Sequence, residues 1–303
     1  MKRMKLVFTG LLIVLTLAAA TVDAQSFYSI RRDRNTIVSI GTGTSTYLGE
    51  LQNPGDYFDA KPNLNVGLQY FLTKRISARA EVTWFQLSGT DVKANDDRRE
   101  RNLSFQSNNY ELNLAALVSL FPNGQRFYQR TFFNVYGFGG VGLLYMNPKT
   151  LFNGEKVALQ PLQTEGVAYS RFQPVIPLGL GIRIKQGPFF NINIEGGYRM
   201  TFTDYLDDIS VRRYPDPSTL SSDLARSLSD RRLEYFNSID RPFTPTPGVG
   251  VRGNPEKNDG YFILNVKLEY YLPYDFSLAK SSYKRRSGNK IKYKKYKPGR
   301  RRR

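Results

Sequence analysis

The sequence of 303 residues contains no cysteine, no histidine and only one tryptophan. Without cysteine there can be no disulfide framework and no acylated cysteine serving as a lipoprotein anchor. Without histidine there can be no Ser-His-Asp triad, no histidine-ligated zinc and no side chain that ordinarily titrates near neutral pH. Enzymes that depend on an imidazole are therefore disfavoured. We expect no enzymatic activity, no cofactor, no metal and no small-molecule substrate.

Long hydrophobic runs are also scarce, with one exception near the beginning of the sequence. A basic region at residues 2–5 precedes a mainly apolar segment, Leu6–Ala20, and Val22-Asp23-Ala24 offers a cleavage site. This order is typical of a secretory signal, which we expect to be cleaved after residue 24. An uncleaved inner-membrane anchor is the alternative, but the apolar segment is short for a membrane span. No later apolar run reaches 18 residues, so no transmembrane helix is predicted beyond the signal.

The rest of the sequence contains segments of about ten residues in which apolar and polar side chains alternate. In the clearest segment, Ile76–Trp84, the even positions are apolar and the odd positions are polar. Such alternation is typical of strands with one face in lipid and the other in a polar lumen. Two weaker, glycine-containing segments, Thr36–Leu48 and Phe132–Met146, are also predicted strands, although the faces of the second cannot be assigned. The remaining five predicted strands are Leu64–Leu72, Asn109–Leu120, Ile176–Ile184, Phe190–Met200 and Phe262–Leu272.

The connections between these eight segments alternate between short and long. The short ones lie at 73–75, 122–129 and 186–188, and the long ones at 50–61, 88–103, 147–171 and 203–259. In up-and-down membrane barrels the short turns are periplasmic and the long loops are extracellular. The sequence therefore predicts an all-β fold: an eight-stranded antiparallel up-and-down transmembrane β-barrel over residues 36–272. We expect it in the outer membrane of a Gram-negative bacterium, with both termini in the periplasm.

A soluble β-sandwich or a lipocalin-like barrel would also show alternation. In those folds the polar positions would be dominated by solvated Lys and Glu. Here the polar positions carry mainly Asn, Gln, Thr, Ser and Gly with a few charges of both signs. These residue types suit a crowded, hydrogen-bonded lumen and favour the membrane barrel.

Eight charged residues fall on the faces that we assign to the lumen. Four are cations and four are anions, so every charge can have a partner. An eight-stranded barrel is just wide enough for side chains to fill it, and buried charges are costly unless they are paired. We therefore predict a network of ion pairs rather than an acid–base pair or an ion path. Its members are Arg79, Glu81, Glu111, Arg183, Glu195, Arg199, Lys267 and Glu269.

The last long connection, 203–259, is too long to be only a connector. Leucines recur at four-residue spacing within 218–236, and Ser221 or Ser222 can cap a helix ahead of Asp223. This pattern predicts a short amphipathic helix that contacts the barrel mouth or a partner, so that the last extracellular loop is partly helical. The alternative is a loop that merely closes the lumen. The predicted contact residues are Leu220, Leu224 and Leu228, and prolines 242, 245 and 247 predict an extended passage after them.

The formal charge of +18 is concentrated towards the C-terminus. Residues 280–303 contain thirteen of the 44 lysines and arginines and no acidic residue. We predict a basic periplasmic tail at 273–303, flexible when alone, and a short periplasmic segment at 25–35. Export disfavours nucleic acid as the ligand, so we expect docking to a partner protein, with anionic lipid as the alternative. The docking residues are Lys284, Arg285, Arg286, Lys290, Lys292, Lys294, Lys295, Lys297, Arg300, Arg301, Arg302 and Arg303.

Several motifs resemble a known family. Gly41–Glu50 is similar to its opening strand and the Tyr-Leu-Gly-acid turn that follows. Gly196–Arg199 with Thr203–Asp208 resembles its signature after the seventh strand, and Asn258–Phe262 resembles the entry into its last strand. These features resemble the PorG-like outer-membrane barrels of Bacteroidetes, which are associated with the type IX secretion system. The resemblance implies a non-enzymatic component that anchors a periplasmic ring made of a lipoprotein and its partner subunit.

Three functions are consistent with these features. The first is a secretion scaffold that anchors periplasmic ring proteins through its turns and tail, in contact with outer-membrane lipid and lipopolysaccharide. The second is an OmpX-like adhesion or defence barrel that acts through its extracellular loops. The third, a barrel enzyme, is disfavoured by the missing histidine.

Overall fold

The computed structural model describes residues 33–52, 60–92, 94, 96–124, 126–246 and 248–273. The predicted signal at 1–24, most of the segment at 25–35 and all twelve docking residues of the predicted tail lie outside these ranges. Ten strands and a few short helices occur in the described residues. The eight strands that build the barrel are β1 (Thr36–Leu48), β2 (Lys61–Phe71), β3 (Ile76–Thr90), β4 (Ser104–Ser119), β5 (Phe133–Tyr145), β8 (Phe172–Lys185), β9 (Phe190–Thr201) and β10 (Gly260–Tyr271).

The other elements lie in the connections. They are strands β6 (Pro148–Phe152) and β7 (Glu155–Ala158), helices α1 (Asp96–Arg99), α2 (Asp223–Ser229) and α3 (Arg232–Ser238), and 3-10 turns at Phe127–Gln129, Gln160–Leu162 and Pro217–Thr219. In the part of the chain that the structure describes, no helix is long and apolar enough to cross a membrane.

The barrel is closed by antiparallel pairing of its first and last strands. The register runs from Ile37 opposite Tyr271 to Leu48 opposite Gly260. Every other neighbouring pair of barrel strands is also antiparallel, including β3 with β4, so the eight strands close into a barrel. The predicted eight-stranded antiparallel up-and-down barrel is confirmed. The predicted bounds of Thr36–Leu48 are those observed, and those of Phe132–Met146 are one residue too wide at each end.

The two faces of the strands differ as the alternation predicts. On β3, Ser77, Arg79, Glu81 and Thr83 are buried while Ile76 and Val82 are exposed. The outward positions of the other barrel strands are similarly apolar and exposed, for example Leu64, Val66 and Leu68, each about half exposed. Exposed apolar side chains of this number are unfavourable in water and favourable in lipid. The outer wall is therefore an apolar surface.

The interior of the barrel is layered along its axis. At the long-loop end the inward side chains are apolar, as at Phe85, Leu87 and Ile263. At the short-turn end apolar side chains such as Phe71 and Leu117 pack together with buried polar ones such as Ser119 and Asn134. The charged residues lie between these two layers. The charges are thus separated from bulk water at both ends by packed side chains, which strengthens their mutual attraction.

Strand β5, whose faces could not be assigned from the sequence, places Tyr136 and Phe138 inside and Gly137 and Gly139 outside. Tyr136 and Phe138 are buried in the lumen. They fit because inward-facing glycines lie opposite them: a Cβ added to Gly179 would meet the Phe138 ring at 2.6 Å, and one added to Gly181 would meet Tyr136. The sequence of this strand does not alternate clearly between apolar and polar residues, because aromatic side chains also face the lumen.

The third long connection contains a β-hairpin that the sequence interpretation missed. Strand β6 adds to the extended end of β4, with Lys149 opposite Gln106, and β7 pairs with β6. Asn153 and Gly154 form the turn with φ angles of 49° and 85°. Positive φ at both residues is the geometry of a type I′ turn, which Asn-Gly favours. The Asn153-Gly154 dipeptide is therefore the sequence feature from which this hairpin could have been predicted.

Candidate functional site: the two ends of a filled barrel

The eight charged residues predicted for the lumen are all buried in it. Arg79 on β3 donates two hydrogen bonds to Glu195 on β9, at 2.5 and 2.8 Å. Lys267 Nζ lies 2.5 Å from Glu81 Oε2 and 3.0 Å from Glu195 Oε1. Since β3 and β9 are not neighbours in the sheet, this group of four charges crosses the lumen.

The remaining four charges form two further pairs. Arg183 donates to both oxygens of Glu269, at 2.5 and 2.9 Å. Arg199 Nε lies 3.6 Å from a Glu111 oxygen that also accepts a hydrogen bond of 2.6 Å from the Tyr261 hydroxyl. Cations and anions thus neutralise one another, as buried charges require. The arrangement fills the centre of the barrel with fixed side chains. Within the described ranges, no group of three or more acidic side chains is placed to hold a metal ion.

The long-loop end is closed by a packed layer of loops, which we call the lid. It consists of residues 49–52, 60, 91–92, 94, 96–103, 146–171 and 202–259 as far as they are described. Loop side chains such as Leu103, Leu159, Leu206 and Leu228 are buried in one cluster with the inward side chains of the strand ends. Because apolar contact is removed from water here, the loops are held as a folded cap.

Arg252 is the fully buried centre of the lid. Its guanidinium donates to Glu165 Oε1 at 2.8 Å, to the Ser229 carbonyl at 2.8 Å and to Thr164 Oγ1 at 3.1 Å. The Glu165 carboxylate in turn accepts hydrogen bonds from the backbone amides of Ser210 and Val211. The Arg252–Glu165 ion pair therefore joins the third long loop to the last long loop. Through their other hydrogen bonds, its two side chains also contact Ser229 and residues 210–211 of the last loop.

The other two long loops join the same cluster. Arg101 forms a two-pronged ion pair with Asp91, at 2.7 and 2.8 Å, and donates to the carbonyl of Arg252. Glu50 lies 3.8 Å from Arg101 and accepts from the backbone amide of Asn254. All four long loops are thus connected through buried polar contacts and do not move independently.

A group of acidic side chains lies beneath these contacts. The Tyr47 hydroxyl is 2.7 Å from Asp207 Oδ2 and 2.6 Å from Asp259 Oδ1. Asp208 accepts hydrogen bonds of 2.5 Å from both Thr164 and Tyr169. Burial raises the pKa of Asp207 and of Asp259 above the usual range of a carboxyl group. The first strand is therefore tied to both ends of the last loop.

The lid is expected to be more stable in acid than at neutral pH. Burial raises the pKa of Asp204 to about 7 and that of Asp208 to about 6. Between about pH 4 and these values the folded lid binds more protons than the unfolded loop. The contribution of Asp204 and Asp208 to the stability of the lid is therefore fully present below about pH 4 and is lost as the pH rises through 6 and 7. Amide hydrogen exchange of residues 203–211, corrected for intrinsic rates, should give less protection at about pH 8 than at about pH 5. Asp204→Asn should reduce the difference, and equal protection of the unsubstituted chain at both pH values would contradict this assignment.

The predicted helix of the last loop is in fact two short helices. Ser222 is the N-cap of α2, accepting from the amide of Ala225 at 3.1 Å, as the sequence predicts. Helix α2 ends at Ser229 with Asp230 as its C-cap, and α3 begins at Arg232. Leu224 and Leu228 lie on α2 and pack against the lid core, whereas Leu220 precedes the helix. This position of Leu220 agrees with the predicted cap at Ser221 or Ser222, and a 3-10 turn at Pro217–Thr219 leads into it. Leu220 is itself buried.

The short-turn end has the opposite character, and the sequence interpretation did not single out its residues. The described residues of this end are 33–35, 72–75, 120–124, 126–132 and 185–189. Asp33 is the only acidic side chain among them, and it pairs with Arg126 at 2.9 Å. A cavity of about 470 Å³ lies here, lined in part by Arg34, Lys74 and Arg126. The full set of cations, here called the turn-end cations, is Arg34, Lys74, Arg75, Arg126, Arg130 and Lys185.

Aromatic side chains hold part of this end in place. The Arg130 guanidinium lies 3.4 Å from the centre of the Tyr271 ring, and that of Arg34 lies 4.2 Å from the centre of the Phe189 ring. Arg34 also donates to the Tyr271 carbonyl at 2.7 Å. Cations stacked on ring faces are stabilised by the ring quadrupole. The two described ends of the chain therefore meet at one end of the barrel.

Comparison with known proteins assigns the chain to a family. The family described as "Domain of unknown function (DUF6089)" matches residues 12–221, which is more than two thirds of the sequence. The chain belongs to the DUF6089 family.

Solved structures similar to this DUF6089 chain include several barrels. Neisserial surface protein A is 8% identical with a TM-score of 0.39, covering 78% of this chain and 97% of its own. A major outer membrane protein from Thermus thermophilus is 13% identical with a TM-score of 0.39, covering 78% and 99%. Ail, the attachment invasion locus protein of Yersinia pestis, in complex with the heparin analogue sucrose octasulfate, is 12% identical with a TM-score of 0.36, covering 79% and 100%. No curated protein sequence matches the chain.

The DUF6089 match covers seven of the eight barrel strands and the part of the last loop up to Ser221. It stops before Arg252 and before β10, which supply the centre of the lid and two lumen charges. The turn-end cations could have been found from the sequence, because two of the three short turns carry basic residues and no acid. The contacts of Arg252 could not, because they join loops that are far apart in the sequence.

Proposed function

We propose that this chain is an outer-membrane β-barrel that acts as a non-enzymatic scaffold and holds periplasmic partner proteins at its short-turn end. In keeping with the family resemblance, we infer that it is a component of a type IX-like secretion machine and anchors ring subunits. The apolar outer wall supports the membrane location. The alternation of short turns with long loops supports an orientation with the turns and both termini in the periplasm.

The filled lumen supports a scaffold rather than a channel. Arg79, Glu195, Lys267 and Glu81 cross the centre of the barrel in contacts of 2.5 to 3.0 Å. Moving these charges to open a path would leave some of them unpaired in a medium of low dielectric constant, at a cost of several kcal/mol each. A protein of this kind can act on others only through its ends.

The observation that carries the docking proposal is the charge of the short-turn end. Of the six turn-end cations, Arg34 and Arg130 are buried, whereas Lys74, Arg75 and Arg126 are exposed. Asp33 is the one acidic residue in the described part of this end, which contains a cavity of about 470 Å³. The basic residues 280–303 follow β10, which ends on this side of the barrel. Such a surface favours an acidic partner by electrostatic complementarity, which increases the association rate and selects against cationic proteins.

Reversal of two turn-end charges tests this proposal. The variant Lys74→Glu/Arg126→Glu should retain about tenfold less periplasmic protein than the unsubstituted chain, because like charges then face each other in the interface. The tagged full chain is extracted from membranes in mild detergent, and co-isolated proteins are quantified by mass spectrometry. Removal of residues 280–303 should produce a further loss. Unchanged recovery of partners in both variants would refute docking at this end.

An adhesion or defence barrel that acts through its loops is the second candidate. The observation in its favour is the lid, in which buried contacts of Arg252 and Arg101 hold all four long loops in one arrangement. A preorganised surface binds with a smaller loss of conformational entropy than a set of mobile loops. In that case the ligand would lie outside the cell.

A further inference from the structure

The outer wall of the barrel carries a groove along β5. Gly137 lies between Val118 of β4 and Leu180 of β8 in the sheet register, and Gly139 follows one row further along the same strand. Gly137 has no side chain to fill the space between the flanking apolar residues, whereas at Gly139 a Cβ would already meet Leu178 Cδ2 at 3.0 Å. A Cβ built on Gly137 would have its nearest neighbour, Leu180 Cδ2, at 3.7 Å, so this space is open.

The groove is a defined cavity with a cation at one end. It has a volume of about 380 Å³, and most of its lining is apolar. Arg75, in the turn between β2 and β3, lies at its short-turn end. Its carbonyl accepts from the amide of Ser119 at 2.8 Å, which holds this turn against β4. The lining residues are Arg75, Val118, Ser119, Leu120, Val135, Tyr136, Gly137 and Leu180.

The Arg75 side chain has the properties of a ligand-binding cation. It is exposed, and none of the ion pairs formed among the described residues involves it. Its neighbour Lys74 and the other turn-end cations make this rim positive. An arginine can form two parallel hydrogen bonds to a phosphate, so it suits a phosphate group better than a single point charge would.

We propose that this groove binds an anionic phospholipid, with one acyl chain over Gly137 between Val118 and Leu180 and the headgroup phosphate on Arg75. The inference rests on the proposed membrane location. An apolar groove that opens onto the lipid-facing wall and ends at a cation matches a molecule that has an acyl chain joined to a phosphate. The charge of the rim selects an anionic headgroup. The position at the short-turn end selects a phospholipid of the periplasmic leaflet.

Native mass spectrometry of the full chain tests the site with two substitutions. The probes are phosphatidylglycerol and phosphatidylcholine with the same acyl chains. Arg75→Gln should lower the ratio of phosphatidylglycerol-bound to lipid-free protein about fivefold, since one basic residue near an anionic surface contributes about that factor. Gly137→Leu, which has space for its Cβ, should fill the groove and produce a similar loss. The phosphatidylcholine signal should be weaker from the start, because the positive rim repels the choline cation, and it should fall less in the Arg75→Gln variant.

Matched controls separate this site from general charge and bulk. Lys257→Gln removes an exposed cation of the last long loop that does not line the groove, and Ala80→Leu adds comparable bulk to an outward position of β3. Both should retain phosphatidylglycerol as the unsubstituted chain does. Equal retention in all four variants would overturn the proposal, as would equal retention of the two lipids by the unsubstituted chain. Loss of a cross-linked dimer in Gly137→Leu without loss of lipid would also overturn it, by assigning the groove to a second copy of the chain.

Flotation with vesicles distinguishes failure of this proposal from failure of the proposed membrane location. If the unsubstituted chain does not float with vesicles and migrates identically with and without boiling, the membrane barrel itself is refuted. If it floats and shows heat-modifiable migration but retains both lipids equally, only the groove is refuted.

Discussion

Lys267→Met is expected to lower the free energy of unfolding by about 3–5 kcal/mol, which is the usual effect of removing one partner from a buried ion pair. Lys267 contacts two carboxylates, those of Glu81 and Glu195, and is itself almost inaccessible to solvent. Its loss leaves these two anions with Arg79 as their one cation inside the lumen. The added Met side chain supplies apolar volume but no charge.

Urea unfolding of the chain in a lipid or detergent environment measures this effect. Trp84, the only tryptophan of the sequence, lies on the outward face of β3, so its fluorescence reports the transfer of the wall into water. The double variant Lys267→Met/Glu81→Gln restores charge balance and should be more stable than the single variant. Lys257→Met, at an exposed position of the last loop, should change stability by no more than about 0.5 kcal/mol. If the single buried substitution has as little effect as the exposed one, the paired-charge lumen is not needed for stability.

Arg252→Met should open the lid while the barrel strands remain paired. The variant loses the ion pair with Glu165 and the hydrogen bond to the Ser229 carbonyl, leaving a buried carboxylate and a buried carbonyl without these partners. An effect of about 3–5 kcal/mol on lid opening is expected from the uncompensated charge. The barrel should be less affected, because its strands are held by their own ladder and lumen contacts.

Hydrogen exchange and limited trypsin digestion measure the opening separately from global unfolding. Residues 203–259 and 159–167 should lose protection and be cleaved faster, whereas heat-modifiable migration should be retained. Arg212→Met is the matched control, since Arg212 is an exposed arginine of the same loop. Arg252→Met/Glu165→Gln should recover part of the protection. Loss of the folded barrel together with the lid would show that the two are one cooperative unit, contrary to this account.

The barrel could be predicted from the sequence because its determinants are local. Alternation over Ile76–Trp84 depends only on whether each side chain faces lipid or lumen, and that choice repeats every second residue. The lumen charges follow from the same alternation, since Arg79 and Glu81 must face inward if Ile76 and Val82 face outward. Which cation meets which anion does not follow, because Arg79 meets Glu195 across the barrel rather than a neighbour in sequence.

The loops were less predictable because their structure depends on distant contacts. Strand β6 forms where β4 extends beyond β5 and offers a free edge, which no property of residues 148–152 indicates. The two helices of the last loop differ from the single predicted helix because Asp230 ends the first of them. Arg252 is one of many arginines in the sequence, and only the folded lid distinguishes it.

The docking proposal is tested most directly by co-isolation of periplasmic proteins with two charge-reversal variants in parallel. Lys74→Glu/Arg126→Glu changes the short-turn end, and Lys149→Glu/Lys156→Glu changes the hairpin β6–β7 at the long-loop end. The account predicts that the first variant loses its periplasmic partners and that the second retains them. Retention by the first variant, with loss of a ligand from the second, would contradict the account and support a function carried by the extracellular loops.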